Sequence, residues 1–338
     1  MTLVATSAKF KDNAHEALTD ARLQGALSFS RNFVGRRAEA VARLPEFEAL
    51  RDSARAIKDH TLAHLDLYLE AYERTARASG GEVHYAQDAE EARKIIIDLC
   101  QSMGAKSVTK GKSMIAEEIG LNHALEAAGI EPVETDLGEY IIQLRHETPS
   151  HILAPAIHLR AKDVEEEFRK AHRDLPADRS LAEPEQLVAE ARQVLRAKFL
   201  AADVGITGAN FLVAETGTSI IVTNEGNGDL TQILPEAHIV IASIEKIVPT
   251  LEDAAQLLRV LARSATGQDA SVYTTLSTGS ISAASSASLS PISSAIIDLP
   301  LVTALASCAL QRSRKIRRAS AASRAKCTWP PSSSTFRS

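Results

Sequence analysis

Cysteine is scarce in this 338-residue chain: there are three, at positions 100, 308 and 327. Three thiols cannot supply the ligands of even one four-cysteine cluster, and they do not make a disulfide framework. Aromatic residues are only 4% of the chain, and no uninterrupted apolar run reaches the length of a membrane span. The N-terminus, MTLVATSAKFKDNAHEAL, has no apolar signal core, so the expected compartment is the reducing cytoplasm. A basic excess is missing as well. A net charge of −5 argues against a general nucleic-acid binder. Neither a G-x-S-x-G nucleophile elbow nor a G-x-G-x-x-G dinucleotide loop occurs. What is present is a 45% hydrophobic chain, long enough for one large or two ordinary domains with a sizeable core.

Composition breaks near residue 280. Residues 280–338 hold 16 Ser and 11 Ala, no Gly, one acid (Asp298) and eight Lys or Arg, a net +7 that leaves −12 for the first 279 residues. All 16 glycines precede residue 280. The segment reads either as a flexible basic tail that docks on an acidic partner or as the product of a shifted reading frame. Its apolar stretch Ile296–Leu310 is interrupted by Pro300 and has no clear period, so no element is expected there and the tail is expected to be disordered.

The first 80 residues read as a helical N-terminal extension. Leu62, Leu65, Leu69 and Tyr72 fall on one helical face, Pro45 divides an earlier helical stretch, and Gly80-Gly81 ends the region. Residues 81–279 then alternate strands and helices. Strands are expected at 83–86, 106–109, 131–134, 152–157, 238–243 and 271–278. Helices are expected from the Asp88 cap, around 113–128, at 162–172, at 185–202 and after the Thr250 cap. FLVAET (211–216) and SIIVT (219–223) flank Gly217-Thr218, which suits a two-residue type II′ hairpin. Cys100 falls on the apolar face of its helix and reads as a buried, inert thiol. The pattern predicts an α/β fold with a mostly parallel sheet and one β-hairpin, whose ligands collect at the carboxyl ends of the strands.

Three segments could carry chemistry. SVTKGKSM (107–114) runs a strand into a turn and a helix start, offering Thr109, Lys110, Gly111, Lys112 and Ser113 as an anion site. It ends in GKS like a nucleotide-binding loop, but Lys106 stands where that loop needs glycine. PVETDLGEY (132–140) clusters Glu134, Asp136 and Glu139 at a strand end, where carboxylates can hold a proton, a metal or substrate hydroxyls; Thr135 or Asp136 could equally cap the next helix. GITGANFLVAETGTSIIVTNEGNGDL (205–230) intersperses glycines with Thr207, Gly208, Asn210, Glu215, Thr216, Gly217, Asn224, Glu225, Gly226 and Asn227. Such a segment permits close ligand approach and polar orientation. Lys110 and Lys112 are expected to face a carboxylate or a phosphate, with Glu134, Asp136, Glu215 and Glu225 as candidates to act on a proton or hydroxyl. His60 and His64 are spaced i, i+4, but the glutamate of a zinc-protease motif is absent, so no metal site is expected.

Several long segments occur together in order: FKDNAHEALTDARLQGAL, TKGKSMIAEEIGLNHALEAAGIEPVETDLGEYIIQL (109–144), DVGITGANFLVAETGTSIIVTNEGNGDLTQ (203–232) and LARSATGQ (261–268). Over roughly residues 8–279 they resemble the LutB (LldF) type of lactate-utilisation protein. The resemblance implies a LUD domain at 81–279, Rossmann-like and similar to the NagB/RpiA/CoA-transferase group. It also implies a subunit of an L-lactate oxidation complex that transfers electrons, with LutA-like and LutC-like partners. Such proteins carry [4Fe–4S] clusters on two C-x-x-C-x-x-C-x-x-x-C-P runs that follow the LUD part. This chain departs from that pattern after YTTLSTG, which favours the shifted-frame reading of the tail and implies that no cluster is encoded here. A different class, an isomerase or acyl-CoA transferase on the same superfold, rests on fold analogy, with Glu215 or Glu225 as base or nucleophile. A non-catalytic scaffold that only binds partner subunits is the third reading.

Overall fold

The computed structural model describes residues 9–28, 31–150 and 154–279, together with two short strands at 295–297 and 305–309. Five helices lead: α1 (Phe10–Thr19), α2 (Ala21–Leu27), α3 (Arg31–Ala42), α4 (Phe47–Ala63) and α5 (Leu65–Ala78). The alternating part runs β1 (Glu82–Ala86), α6 (Ala89–Ser102), β2 (Ser107–Gly111), α7 (Met114–Glu118), α8 (Leu121–Ala127), β3 (Glu131–Glu134) and α9 (Leu137–Arg145). It continues with α10 (Ala161–Ala171), α11 (Pro184–Ala201), β4 (Val204–Gly208), β5 (Phe211–Val213), β6 (Thr218–Thr223), α12 (Asn227–Ile233) and β7 (Ala237–Ala242). Then come β8 (Ile247–Val248), α13 (Leu251–Thr266), β9 (Tyr273–Thr278), β10 (Ala295–Ile297) and β11 (Leu305–Ala309).

Two sheets form. The larger has the order β10-β1-β11-β7-β4-β2-β3, and its β7-β4-β2-β3 half is wholly parallel. The smaller has the order β8-β5-β6-β9. The hairpin therefore belongs to a sheet of its own rather than to an antiparallel insertion in the first. On one face of the large sheet Ala92, Ile96 and Cys100 of α6 and Leu121 and Leu125 of α8 cover Val108, Ile206 and Ile239. Elsewhere Val133 of β3 packs with Tyr140 of α9, Phe168 of α10 and Leu187, Ala191, Leu195 and Phe199 of α11. Both faces of the parallel half are covered, which is why β7 is buried at all six positions. Tyr72 and Ala76 of α5 pack with Val83, Leu212, Ala242 and Ile247, tying the two sheets together. The small sheet rests on Ala254, Leu257, Leu258 and Leu261 of α13.

Local readings meet the structure unevenly. Asp88 accepts the Glu91 N–H at 2.9 Å and starts α6; Thr250 accepts the Asp253 N–H at 3.1 Å and starts α13. Cys100 is fully buried, and burial pushes its thiol up to about 12, as an inert core thiol should be. The helix expected over 113–128 is split into α7 and α8, because Gly120 takes a left-handed φ of 64°. Leu62 is 47% exposed, because the helix breaks at His64 and the apolar face restarts with Leu65. The hairpin is not a two-residue type II′ turn. Val213 pairs with Thr218, so the loop is the four residues 214–217, closed by Gly217 at φ 68° against the backbone of Ala76. No strand forms in the described part of 152–157: Pro155 sits in a turn in which Ile157 N–H bonds the Ala154 carbonyl at 3.1 Å, and residues 151–153 lie outside the described residues. β10 and β11 arise where the sequence showed no period; β11 lies antiparallel between β1 and β7. The rest of the 280–338 tail lies outside the described residues.

Glycine governs the approach of α12 and the β2–α7 turn to β4. A Cβ on Gly205 would overlap the Thr231 carbonyl oxygen, and one on Gly208 would overlap the Lys112 carbonyl oxygen. Both obstacles are backbone and cannot rotate away. Gly205→Ala should lower the urea midpoint of the full chain by the equivalent of about 1–3 kcal/mol. An unchanged midpoint would show that α12 can retreat freely.

Candidate functional site

The chain crosses repeatedly at the carboxyl ends of β2, β3 and β4, and two of the three sequence segments, with the Asn224–Asn227 end of the third, converge there. Lys110, the penultimate residue of β2, is 1% exposed. Its Nζ lies 2.7 Å from Glu134 Oε1 at the end of β3 and 2.6 Å from Glu117 Oε1 on α7. The parallel register pairs Lys110 with Glu134, so both side chains leave the same face of the sheet. Burial alone would lower Lys110, but Glu134 and Glu117 outweigh it and hold the lysine above its usual value. Asn122 Nδ2 on α8 donates to Glu134 Oε1 at 2.7 Å, and the Glu134 N–H donates to Gln143 Oε1 at 2.9 Å.

Nearer solvent stands a second pair. Lys112 has a left-handed φ of 59°, which turns its side chain toward Asp136. Glu225 lies 3.3 Å from Lys112 Nζ and is 60% exposed. Burial lowers Lys112, but Asp136 and then Glu225 and Glu139 raise it overall. Asp136 also caps α9 by accepting the Gly138 N–H at 3.0 Å, so capping and ion pairing fall on one residue. Asn227 Nδ2 donates to the Thr135 carbonyl at 3.2 Å, which brings the third segment against the second. Glu139, on the first turn of α9, is pushed up to about 8 by burial and by the neighbouring Glu134 and Asp136.

The other candidates hold structure. Ser113 caps α7 by accepting the Ala116 N–H at 3.2 Å. Gly111 leaves room for Thr135 Oγ1. Thr207 Oγ1 lies 2.8 Å from Nε2 of His238, whose burial drives it down to about 3, so it stays neutral in the core. Asn210 Oδ1 accepts the Val222 N–H at 2.7 Å at the root of the hairpin. Glu215 accepts the Leu251 N–H at 3.3 Å beside α13, Thr216 Oγ1 meets Thr218 Oγ1 at 2.7 Å, and Gly217 abuts α5; the structure places these three on the small sheet rather than in the lysine cluster. Asn224 is exposed, Gly226 precedes α12, and Thr109 is 1% exposed on the opposite face of β2 from Lys110. His60 Nε2 bonds Tyr68 Oη at 2.9 Å on the surface.

One expectation is overturned. Lys110 is not open to an incoming carboxylate, because its charge is already shared between Glu117 and Glu134. Sequence reading also passed over Glu117, Asn122 and Gln143, and it counted Glu139 among the clustered carboxylates without choosing it as an acting residue. Glu139 precedes the buried run Tyr140, Ile141 and Ile142, which was the one available sign that it is partly sequestered. Three buried side-chain atoms in or beside this cluster have no hydrogen-bond partner: Asn122 Oδ1, Glu134 Oε2 and Glu139 Oε2. A separate depression of about 450 Å³, lined by Arg22, Gly25, Ala26 and residues 157–160, shares no residue with the cluster. Its Arg22 is bound to Asp163, so the unsatisfied oxygens make the strand-end cluster the better candidate.

The LUD domain family profile matches residues 69–288. Lactate utilization protein B of Bacillus licheniformis is 42% identical over 281 residues, 82% of this chain and 58% of that relative. The proteins of the same name from Macrococcus caseolyticus and Bacillus subtilis are 43% and 42% identical over 272 residues, 80% of this chain and 56% of each relative. The chain thus spans a little over half the length of the curated relatives it matches. No solved structure matches it. Among the described residues, no helix is long and apolar enough to cross a membrane.

Proposed function

This chain belongs to the LUD-domain family and is of the lactate utilization protein B type, and from that premise we propose that it is the organic-acid-binding unit of a lactate-utilisation system. Its place would be in a complex that oxidises L-lactate to pyruvate, alongside LutA-like and LutC-like subunits. The observation that carries this reading is the convergence of Lys110, Lys112, Glu134, Asp136 and Glu225 at the carboxyl ends of parallel strands, where ligands of such sheets bind.

The gradient of burial assigns roles. Lys112 is the carboxylate anchor: Glu225 is mostly exposed and only weakly held, so an incoming carboxylate can displace it from the ammonium. Asp136 keeps Lys112 oriented from the other side. Lys110 fixes Glu134 in the interior and does not touch the ligand's carboxylate. The cluster then offers a cation near solvent and carboxyl groups beneath it, a combination that suits a small 2-hydroxy acid.

Iron–sulfur clusters, implied by the family resemblance, do not fit the residues present. Cys100 is sealed in the α6 core, Cys308 and Cys327 are too few to complete a four-thiolate set, and no group of three or more His, Cys, Asp or Glu among the described residues could hold a metal ion. No step of the proposal runs through such a group.

L-lactate added to the purified full chain should raise its melting temperature, and Lys112→Met should abolish the rise while leaving the ligand-free melting point within a few degrees. Size-exclusion chromatography with LutA-like and LutC-like proteins should show co-elution. Absence of a lactate-dependent shift together with no co-elution would remove the proposal.

A further inference from the structure

Deep in the cluster the hydrogen-bond ledger is lopsided. Glu134 is 3% exposed, and its Oε1 is already shared by Lys110 at 2.7 Å and Asn122 at 2.7 Å. Its Oε2 has no partner, and neither do Glu139 Oε2 and Asn122 Oδ1. Leaving such atoms unmatched costs about 1–3 kcal/mol each, more when charged, so a donor completes this site and a further anion does not. Lys110 cannot swing to supply it, being pinned by Glu117 at 2.6 Å.

We propose that Glu134 and Glu139 form a subsite for the alcohol hydroxyl of the ligand, which donates to Glu134 Oε2 and meets Glu139 Oε2 on its other side. The proposal rests on the reading of this cluster as an organic-acid site and deepens it. A hydroxyl both donates and accepts. With Glu139 pushed up to about 8, its carboxyl is largely protonated at neutral pH and can donate to the hydroxyl oxygen while the hydroxyl proton goes to Glu134. A ketone oxygen could accept from Glu139 but would leave Glu134 Oε2 unmatched and facing another lone pair. The subsite therefore selects a 2-hydroxy acid over the corresponding 2-keto acid. Sites built to bond a hydroxyl reject analogues lacking it strongly, up to about 10⁴-fold or more.

Titration calorimetry of the full chain at pH 7 with L-lactate, pyruvate and 1,2-propanediol tests this. L-lactate should bind at least about tenfold tighter than pyruvate, with the diol binding weakly. Glu134→Gln, which replaces an acceptor oxygen by an amide, should bring the lactate-to-pyruvate ratio toward one. Glu139→Ala should weaken both ligands and Glu139→Gln, isosteric with the protonated acid, should leave both bound. Each should keep the preference for lactate, because the discrimination lies at Glu134 Oε2. If Glu134→Gln does not fold, the lactate-to-pyruvate ratio of the unaltered chain decides. Equal affinity for lactate and pyruvate would overturn the hydroxyl subsite while leaving the organic-acid reading in place. Binding of the diol alone, lost in Glu134→Gln, would support the subsite and remove lactate as the ligand. No binding by either hydroxylated probe overturns the subsite.

Discussion

Lys110→Met should destabilise the protein by about 3–5 kcal/mol at neutral pH, a large part of the stability of an ordinary domain. The physical reason is what the lysine leaves behind. Glu134 is 3% exposed and Glu117 is partly covered, and both lean on one ammonium at 2.7 and 2.6 Å. Methionine fills much the same volume but supplies no charge, so two carboxylates would face each other with little water between them. The cost should shrink as pH falls, because protonating the stranded carboxyls removes the uncompensated charge. Adding Glu134→Gln to Lys110→Met should recover part of the loss, since an absent pair is tolerated far better than a broken one. Urea denaturation of the three proteins between pH 5 and 8 measures this. A single variant within about 0.5 kcal/mol of the parent would mean that Lys110 is dispensable to the fold.

Glu139→Gln should act in the opposite direction. Burial, together with Glu134 and Asp136, raises Glu139 in the folded state to about 8, against an ordinary glutamate value of 4.5. The unfolded chain thus releases this proton first. As pH rises from about 4.5 to 8 the unfolded state is progressively favoured, and above 8 the penalty is complete. Glutamine has no such proton to lose. The variant should match the parent near pH 4 and gain stability across that window, reaching on the order of 3 kcal/mol at pH 9 after allowance for partial solvation at the rim. Melting curves at pH 4, 6.5 and 9 would display the divergence. Parallel curves at all three values would show that Glu139 is not sequestered from water.

Periodicity and capping were legible in the chain because they are local. The α6 face of Ala92, Ile96 and Cys100, the caps at Asp88 and Thr250, and the all-apolar β7 each follow from a few adjacent residues. Loop geometry was less legible. Gly217 marked the hairpin, but whether it opened a two-residue turn or closed a four-residue one depended on the Val213–Thr218 register and on the helix it rests against. The 152–157 stretch shows the same limit, since its apolar pattern was outvoted by Pro155 in a turn packed on Gly138. Residues that bear on the site were visible as types and not as partners. Lys110 and Glu134 were both named as candidates, yet the lysine's engagement by Glu117 seven positions away across a turn had no signature in spacing.

The sequence alone determined the α/β alternation, the family and the place to look, because each rests on patterns that survive in one dimension: the period of apolar residues, the glycines at turns and the order of long motifs. Tertiary structure decided which charges are free. Two lysines that read as an open anion site are a buried one neutralised by Glu117 and Glu134 and a rim one held between Asp136 and Glu225. That distinction comes from parallel strands setting residues 24 positions apart side by side and from helices closing over them, which changes both the distance between charges and the water that screens them.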